Sequence, residues 1–324
     1  MLVGGEGTRL RPLTLHTPKQ LLPVGGVPMI ERVVANLTRS GLVDCIVFSM
    51  GYRPDAFVAA YPDGVCAGVP ITYAVEPELL DTAGAIRFAG THAGIEETFV
   101  VANGDVITTL DVAALVDFHR RVGAEATISL TPVDDPSAFG VVPTDDHGRV
   151  QAFIEKPQRD EAPTDLINAG TYVLEPSVLD RIPDGRRVSI ERETFPALVE
   201  SGRLFAMASD AYWIDTGTPA TYLRANLDTL GDRALVGPDA AVHDDAVVER
   251  SVVGVGSCIA AGARVVESVL LPGCRVGAGA VVERSLVGRG AVIGPGARLD
   301  DLTVVGDGTE VAAGAVLRAA RVPG

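Results

Sequence analysis

The residues best suited to chemistry stand near the start of the chain. They form Gly4-Gly5-Glu6-Gly7-Thr8-Arg9-Leu10-Arg11-Pro12-Leu13-Thr14, followed by Thr17-Pro18-Lys19-Gln20-Leu21-Leu22-Pro23-Val24. Three glycines in four positions let backbone N–H groups approach a ligand with no Cβ in the way, as in an anion nest. Arg9 adds a planar fork of positive charge and Lys19 a mobile point charge, a combination suited to polyphosphate. A plain surface turn would use the same glycines. The loop also lacks both the dinucleotide pattern Gly-x-Gly-x-x-Gly and the Gly-Lys-Ser/Thr of a P-loop. Two aspartates are further candidates: Asp105, closing Val100-Val101-Ala102-Asn103-Gly104-Asp105, and Asp215, in Tyr212-Trp213-Ile214-Asp215-Thr216-Gly217-Thr218-Pro219. Taken alone, such a residue is as often a turn former or a helix cap.

Lysine usage sharpens this picture. Of 27 basic residues only two are lysine, Lys19 and Lys156, and each lies inside a motif-like stretch. Lysine can approach one phosphate oxygen as a compact charge where arginine presents a fork.

Elements that could position these groups follow from hydrophobic patterning. Short apolar runs at Cys45–Met50, Ile71–Val75, Phe99–Ala102 and Ala126–Leu130 read as buried strands. Amphipathic segments at Met29–Ser40, Ala83–Ala93 and Val112–Val122 read as helices between them. The alternation predicts a mostly parallel, three-layer α/β domain, with ligands gathering beyond the carboxyl ends of the strands. Only Met1-Leu2-Val3 precedes the glycine loop, too little for a full first strand. The expectation is a true start further upstream, or a shortened chain.

From about Leu235 the composition turns to Val, Gly and Ala. Val242, Ile259, Val276 and Ile293 recur every 17 residues, as do Val248, Val265, Val282 and Leu299, and Ser251, Ser268 and Ser285. An aliphatic at every sixth position with small residues at corners predicts a three-sided parallel β-helix of about five coils. Such repeats also occur in acyltransferases, which generally use a histidine base. The repeat contains only His243, with no evident partner, and it reads as a solvated side chain.

With 324 residues the chain suits two domains, and a net charge of −15 excludes a broad basic face for nucleic acid. No apolar run reaches membrane-spanning length, so no membrane partner is expected and a soluble cytoplasmic protein is the default. Cys45, Cys66, Cys258 and Cys274 show neither zinc-site spacing nor a disulfide framework.

The composite of Arg-Leu-x-Pro-Leu-Thr and Pro-Lys-x-Leu-x-Pro at fixed spacing resembles the signature of the sugar-1-phosphate nucleotidylyltransferases, the nucleoside diphosphate sugar pyrophosphorylases. The resemblance extends along nearly the whole chain. It implies a Rossmann-like three-layer nucleotidyltransferase domain over 1–232 and a left-handed parallel β-helix of hexapeptide repeats over 233–324. The activity implied is transfer of a nucleotidyl group from an NTP to a sugar 1-phosphate, releasing pyrophosphate.

By the same resemblance, Asp105 and Asp215 are the metal ligands, with Mg²⁺ as cofactor. Arg9, Lys19 and Lys156 are the catalytic cations. Gly4, Gly5, Gly7, Thr8, Glu76, Thr82, Gly84, Asn103 and Gly104 are assigned to the nucleotide. Gly140, Glu155, Asn168 and Gly170 are assigned to the sugar. Ser189-Ile190-Glu191-Arg192-Glu193-Thr194-Phe195-Pro196 and the β-helix resemble mannose-1-phosphate guanylyltransferases, favouring GTP. Pro18 to Pro23 also resembles glucose-1-phosphate thymidylyltransferases, and an unusual sugar or cyclitol phosphate stays open as acceptor. A catalytically silent regulatory homologue is the alternative of another class. Assembly into a homo-oligomer through the β-helix is expected.

Overall fold

The computed structural model describes residues 1–323. The chain forms two compact units whose limits do not follow the change in composition near Leu235. One comprises Met1–Gly5 and Ile30–Trp213, and the other Glu6–Met29 and Ile214–Gly324. The glycine loop is therefore shared between them.

In the first unit, α1 (Met29–Thr38) precedes β1 (Ile46–Met50), which pairs in parallel with β2 (Val69–Val75). Met1–Val3 lies between β1 and β3 (Phe99–Ala102). Val3 N donates to Ser49 O at 3.0 Å and Leu2 N to Ala102 O at 2.9 Å. These few residues thus stand where a first strand belongs. The helices α2 (Asp81–His92) and α3 (Val112–Val122) follow β2 and β3. Asp111 caps α3 by accepting from Ala114 N at 3.1 Å, and Gly123 ends the helix in the left-handed region at φ 62°.

The second half of this unit departs from the parallel expectation. β4 (Ala126–Pro132) is parallel to the late strand β8 (Leu204–Ala208). β7 (Leu166–Leu174), however, runs antiparallel to β3 and β4 and also pairs antiparallel with β5 (Gly140–Val141). A small antiparallel pair, β5 with β6 (Ile154–Glu155), intervenes between β4 and β7. No helix crosses over between β4 and β7, so β7 returns against its neighbour rather than alongside it. The sheet is mixed, and its core gathers Ile128, Leu130, Val142, Tyr172, Phe195 and Leu204.

In the second unit, α4 (Pro219–Leu230) starts at a reciprocal capping box between Thr218 and Thr221. Beyond it, the chain winds into a parallel β-helix with three sheets. One sheet has six strands, from Leu235–Val236 to Arg321–Val322, and the other two have five each. The 17-residue spacing is the strand register itself: Val242 pairs with Ile259, Ile259 with Val276, and Val276 with Ile293. The next step, Ile293 to Val311, takes 18 residues. The added residue fits at the corner where Asp301 and Leu302 both have positive φ.

Inside the coil, Ser251, Ser268 and Ser285 form a buried ladder. Ser268 N donates to Ser251 Oγ at 3.0 Å and Ser285 N to Ser268 Oγ at 3.1 Å. Each hydroxyl also donates to the carbonyl two residues before it. Hydroxyls at these positions leave no buried donor or acceptor orphaned, which an aliphatic could not achieve.

On the six-strand face, the inward Val253, Leu270, Val287 and Val305 are matched by equally buried outward neighbours Val252, Val269, Leu286 and Val304. Alternate positions on a strand point to opposite faces. This face of the β-helix is therefore covered.

Candidate active site

The glycine loop does not remain an open coil. Gly7 has φ 60°, and a Cβ there would meet Thr14 Cγ2 at 3.1 Å and Lys19 Cβ at 3.2 Å. Thr8–Leu10 form a single 3₁₀ turn, with Leu10 N donating to Gly7 O at 2.9 Å and Thr14 Oγ1 to the same oxygen at 2.7 Å. Leu10 is fully buried and anchors the turn, so Arg9 is presented outward with 64% of its side chain exposed. Its Nη2 lies 4.0 Å from Asp215 Oδ2.

Asp215 is not a helix cap, because Thr218 does that work. Its Oδ1 instead accepts from Gly217 N at 2.7 Å. Arg9, Lys19, Gly7, Thr8 and Asp215 belong to one unit, whereas Gly4 and Gly5 belong to the other. Sequence reasoning overlooked Gln20. It is 1% exposed, and its Oε1 has no hydrogen-bond partner, a buried acceptor beside Lys19.

In the other unit, Asn103-Gly104-Asp105 turns at the carboxyl end of β3, where Gly104 N donates to Leu2 O at 2.9 Å. The cap of α3 is Asp111, so Asp105 is not engaged as one either. Asn103 N donates to Gly170 O at 2.9 Å, and Gly170, at φ 76°, would drive a Cβ to 2.6 Å from Asn103 Nδ2. The nucleotide-motif turn and the sugar-motif strand are thus neighbours. Asn168 is held in place by Gly170 N and by the Tyr172 hydroxyl, each at 2.9 Å. Burial, and then the negative charges of Glu191 and Glu155, push the Tyr172 phenol far above its ordinary range, so it stays protonated.

The hairpin of β5 and β6 sets Glu155 opposite Gly140. A Cβ on Gly140 would lie 2.5 Å from the Phe153 ring and 3.2 Å from Glu155 Oε2. Lys156 follows at φ 51°, a backbone region costly for a side-chain-bearing residue and frequent at functional sites. Its Nζ lies 3.2 Å from Glu155 Oε1. Trp213 donates from its indole to Ala169 O at 2.9 Å and packs edge-on against Phe139 at 5.5 Å, roofing the same strands.

Glu76, Thr82 and Gly84 sit around the start of α2. The Glu76 carboxylate accepts from Leu80 N at 2.9 Å. The Thr82 hydroxyl donates to Glu191 at 2.8 Å and accepts from Ile190 N at 2.8 Å. Gly84 lies against the backbone of Arg186. Gly4 approaches Gly51 at the end of β1. Thr82 therefore fastens the Ser189–Pro196 segment, which begins as a π-helical turn over Ile190–Thr194. Glu191, which accepts from the Thr82 and Ser189 hydroxyls, was not singled out in the sequence; only the segment's resemblance drew attention to this stretch.

For a divalent ion, the carboxylates of Asp105 and Asp215 are hard oxygen donors of the type Mg²⁺ takes. Among the described residues, no group of three or more His, Cys, Asp or Glu is gathered to cage a metal. Mg²⁺ in nucleotide sites commonly takes one or two carboxylates and completes its shell with phosphate oxygens and water. Each aspartate by itself offers a carboxylate of the kind that mode uses.

This fold and these motifs define a nucleotidyltransferase, and comparison with known proteins bears that out. The nucleotidyl transferase family model matches residues 1–231, and the chain belongs to that family. A model described as the GMPPB C-terminal domain matches residues 230–323. The chain is 43% identical over 294 residues to the mannose-1-phosphate guanylyltransferase of Mycobacterium tuberculosis, covering 86% of this chain and 80% of that protein. It is 38% identical over 345 residues to the mannose-1-phosphate guanyltransferase of Debaryomyces hansenii, covering 99% and 94%. Among solved structures, a putative glucose-1-phosphate thymidylyltransferase from Bacillus anthracis superposes with a TM-score of 0.62 at 29% identity, covering 69% of this chain and 92% of that one. HddC from Yersinia pseudotuberculosis, complexed with GMP-PN, gives 0.60 at 28%, covering 70% and 97%.

Proposed function

We propose that the protein transfers GMP from GTP to mannose 1-phosphate, giving GDP-mannose and pyrophosphate. The observation that carries this reading is likeness along the whole length, β-helix included, to proteins named for that reaction. A mannose 1-phosphate oxygen attacks the α-phosphorus, and the bond from that phosphorus to the bridging oxygen of the leaving pyrophosphate breaks. Such a transfer depends on positioning and charge neutralisation more than on covalent help from the protein.

Arg9 and the amides of Gly4 to Thr8 receive the departing pyrophosphate, and Lys19 neutralises charge beside it. Lys156 orients the attacking phosphate, while Glu155, Asn168 and the backbone at Gly140 and Gly170 hold sugar hydroxyls. Asn103, Gly104, Glu76, Thr82 and Gly84 shape the nucleotide side. Asp105 and Asp215 would hold Mg²⁺, which supplies a positive charge on the phosphates. The catalytic part is taken as 1–232 and the β-helix as 233–324. The β-helix also offers a surface for a second copy of the chain, with Val316 72% exposed on one of its faces.

The test is pyrophosphate release with GTP, dTTP and ATP crossed against mannose and glucose 1-phosphates. Release with GTP and mannose 1-phosphate supports the reading. A preference for dTTP with glucose 1-phosphate overturns it. Silence with nucleotide still bound favours a regulatory homologue.

A further inference from the structure

The segment Glu6–Met29 meets the six-strand face of the β-helix at both ends. Near the first strand, a Cβ on Gly26 would lie 3.0 Å from Leu235 Cδ2. At the last strand, Arg321 Nη1 donates to the carbonyl of Arg9 at 3.2 Å and to the carbonyl of Arg11. Those two carbonyls flank Leu10, the buried anchor of the phosphate-facing turn. Local bonds fix the turn between them: Leu10 N, on the peptide that carries the Arg9 carbonyl, donates to Gly7 O at 2.9 Å, and Arg11 N donates to Thr8 O at 3.2 Å. One guanidinium nitrogen holds both carbonyls.

We propose that Arg321 is a positioning residue for nucleotidyl transfer: a side chain of the β-helix that sets the orientation of the Thr8–Leu10 turn and hence the departure angle of the Arg9 side chain. The β-helix thereby becomes part of the phosphate site without touching phosphate. A guanidinium can serve here because it offers several N–H donors in one plane and stays charged at any working pH. This inference rests on the role given above to Arg9.

The experiment compares the full chain carrying Arg321→Ala and Arg321→Lys with wild type, by steady-state kinetics with GTP, Mg²⁺ and mannose 1-phosphate, and by thermal unfolding. A charged hydrogen-bond donor that orients a binding loop, once removed, is expected to raise the KM for GTP about tenfold. The KM for mannose 1-phosphate should stay unchanged. Arg321→Lys should recover most of the loss, since an ammonium can still donate to both carbonyls. Kinetic constants of Arg321→Ala within about twofold of wild type would overturn the proposal. Equal losses for both substrates that track a fall in Tm and are not rescued by lysine would overturn it as well. Failure of the wild type to make GDP-mannose would instead count against the guanylyl reading. The same variants are then compared by calorimetric GTP binding, where a weakened Arg321→Ala supports the proposal and an unchanged one refutes it.

Discussion

Gly217→Ala separates the site's chemistry from its stability. A Cβ at this position would lie 2.4 Å from Arg9 Nη2 and 2.8 Å from Asp215 Oδ1, where ordinary contact begins at 3.4 Å. Arg9 must therefore retreat by about 1 Å, and a misplacement of that size in a positioned group can cost about 10²-fold in rate. The retreat is easy, because the obstructing atom is the end of a long, exposed side chain. Gly217 itself does not occupy the left-handed region, so its backbone accepts alanine. The Cβ also presses on the carboxylate oxygen that Gly217 N holds at 2.7 Å. The expected result is a fall of about 10- to 100-fold in kcat/KM for GTP, with the urea midpoint changed by less than about 1 kcal/mol equivalent. The assay is pyrophosphate release alongside urea unfolding. Wild-type turnover in a fully folded Gly217→Ala would refute the role given to Arg9 and Asp215.

Lys156→Arg should lower kcat by about tenfold or more, because a fork cannot replace a point charge beside Glu155; near-wild-type turnover would count against Lys156 as the group orienting the attacking phosphate. Glu125 is buried and receives Arg181 through bonds of 2.5 and 2.8 Å, with Ser177 adding a third at 3.1 Å, and Glu125→Gln should cost about 2 kcal/mol at neutral pH. The hydrogen bonds from Arg181 hold the Glu125 carboxyl below the usual range. Its stabilisation is thus present above about pH 4.3, the unfolded value, and is lost as pH falls through the lower folded value. Urea unfolding should therefore show the wild type losing its advantage over Glu125→Gln in acid, and a difference independent of pH would exclude the charge. Gly288→Ala would bring a Cβ to 2.5 Å from the backbone of Gly306 on the next coil; about 2 kcal/mol should be lost in denaturant unfolding, and an unchanged midpoint would mean that the coils can separate locally.

Local pattern was enough for the elements whose faces are set by near neighbours. The strand Phe99–Ala102 and the helix Val112–Val122 lie where periodicity places them, and the 17-residue repeat is the ladder register itself. Strand direction was less accessible. Nothing inside Leu166–Leu174 distinguishes a parallel from an antiparallel run, since its residues are buried on both faces either way. The direction is set by the short β5–β6 excursion before it. In the candidate site, the glycine loop and both lysines were readable because their types are unusual at that spacing. Whether Asp105 and Asp215 cap helices could only be decided once Asp111 and Thr218 were seen capping the helices that follow. Gly217 and Arg321 left no signal. Each matters through residues roughly 200 to 300 positions away in sequence, a distance that no local pattern spans.

The serine ladder and the strand-on-strand pairing, kept through both the 17-residue steps and the one of 18, give the β-helix a property of measurement. Adjacent strands advance by about 4.8 Å per coil, and the hydroxyl-to-amide contact is repeated from Ser251 to Ser268 and from Ser268 to Ser285. Deleting one complete 17-residue period would leave every remaining rung intact, yet carry Arg321 about one rung away from the Arg9 and Arg11 carbonyls. Adding a period would overshoot by the same distance. The number of coils thus works as a ruler, calibrated to bring one arginine level with the phosphate-facing turn. Insertions and deletions in this region are graded less by the damage they do to packing than by where they set down its far end.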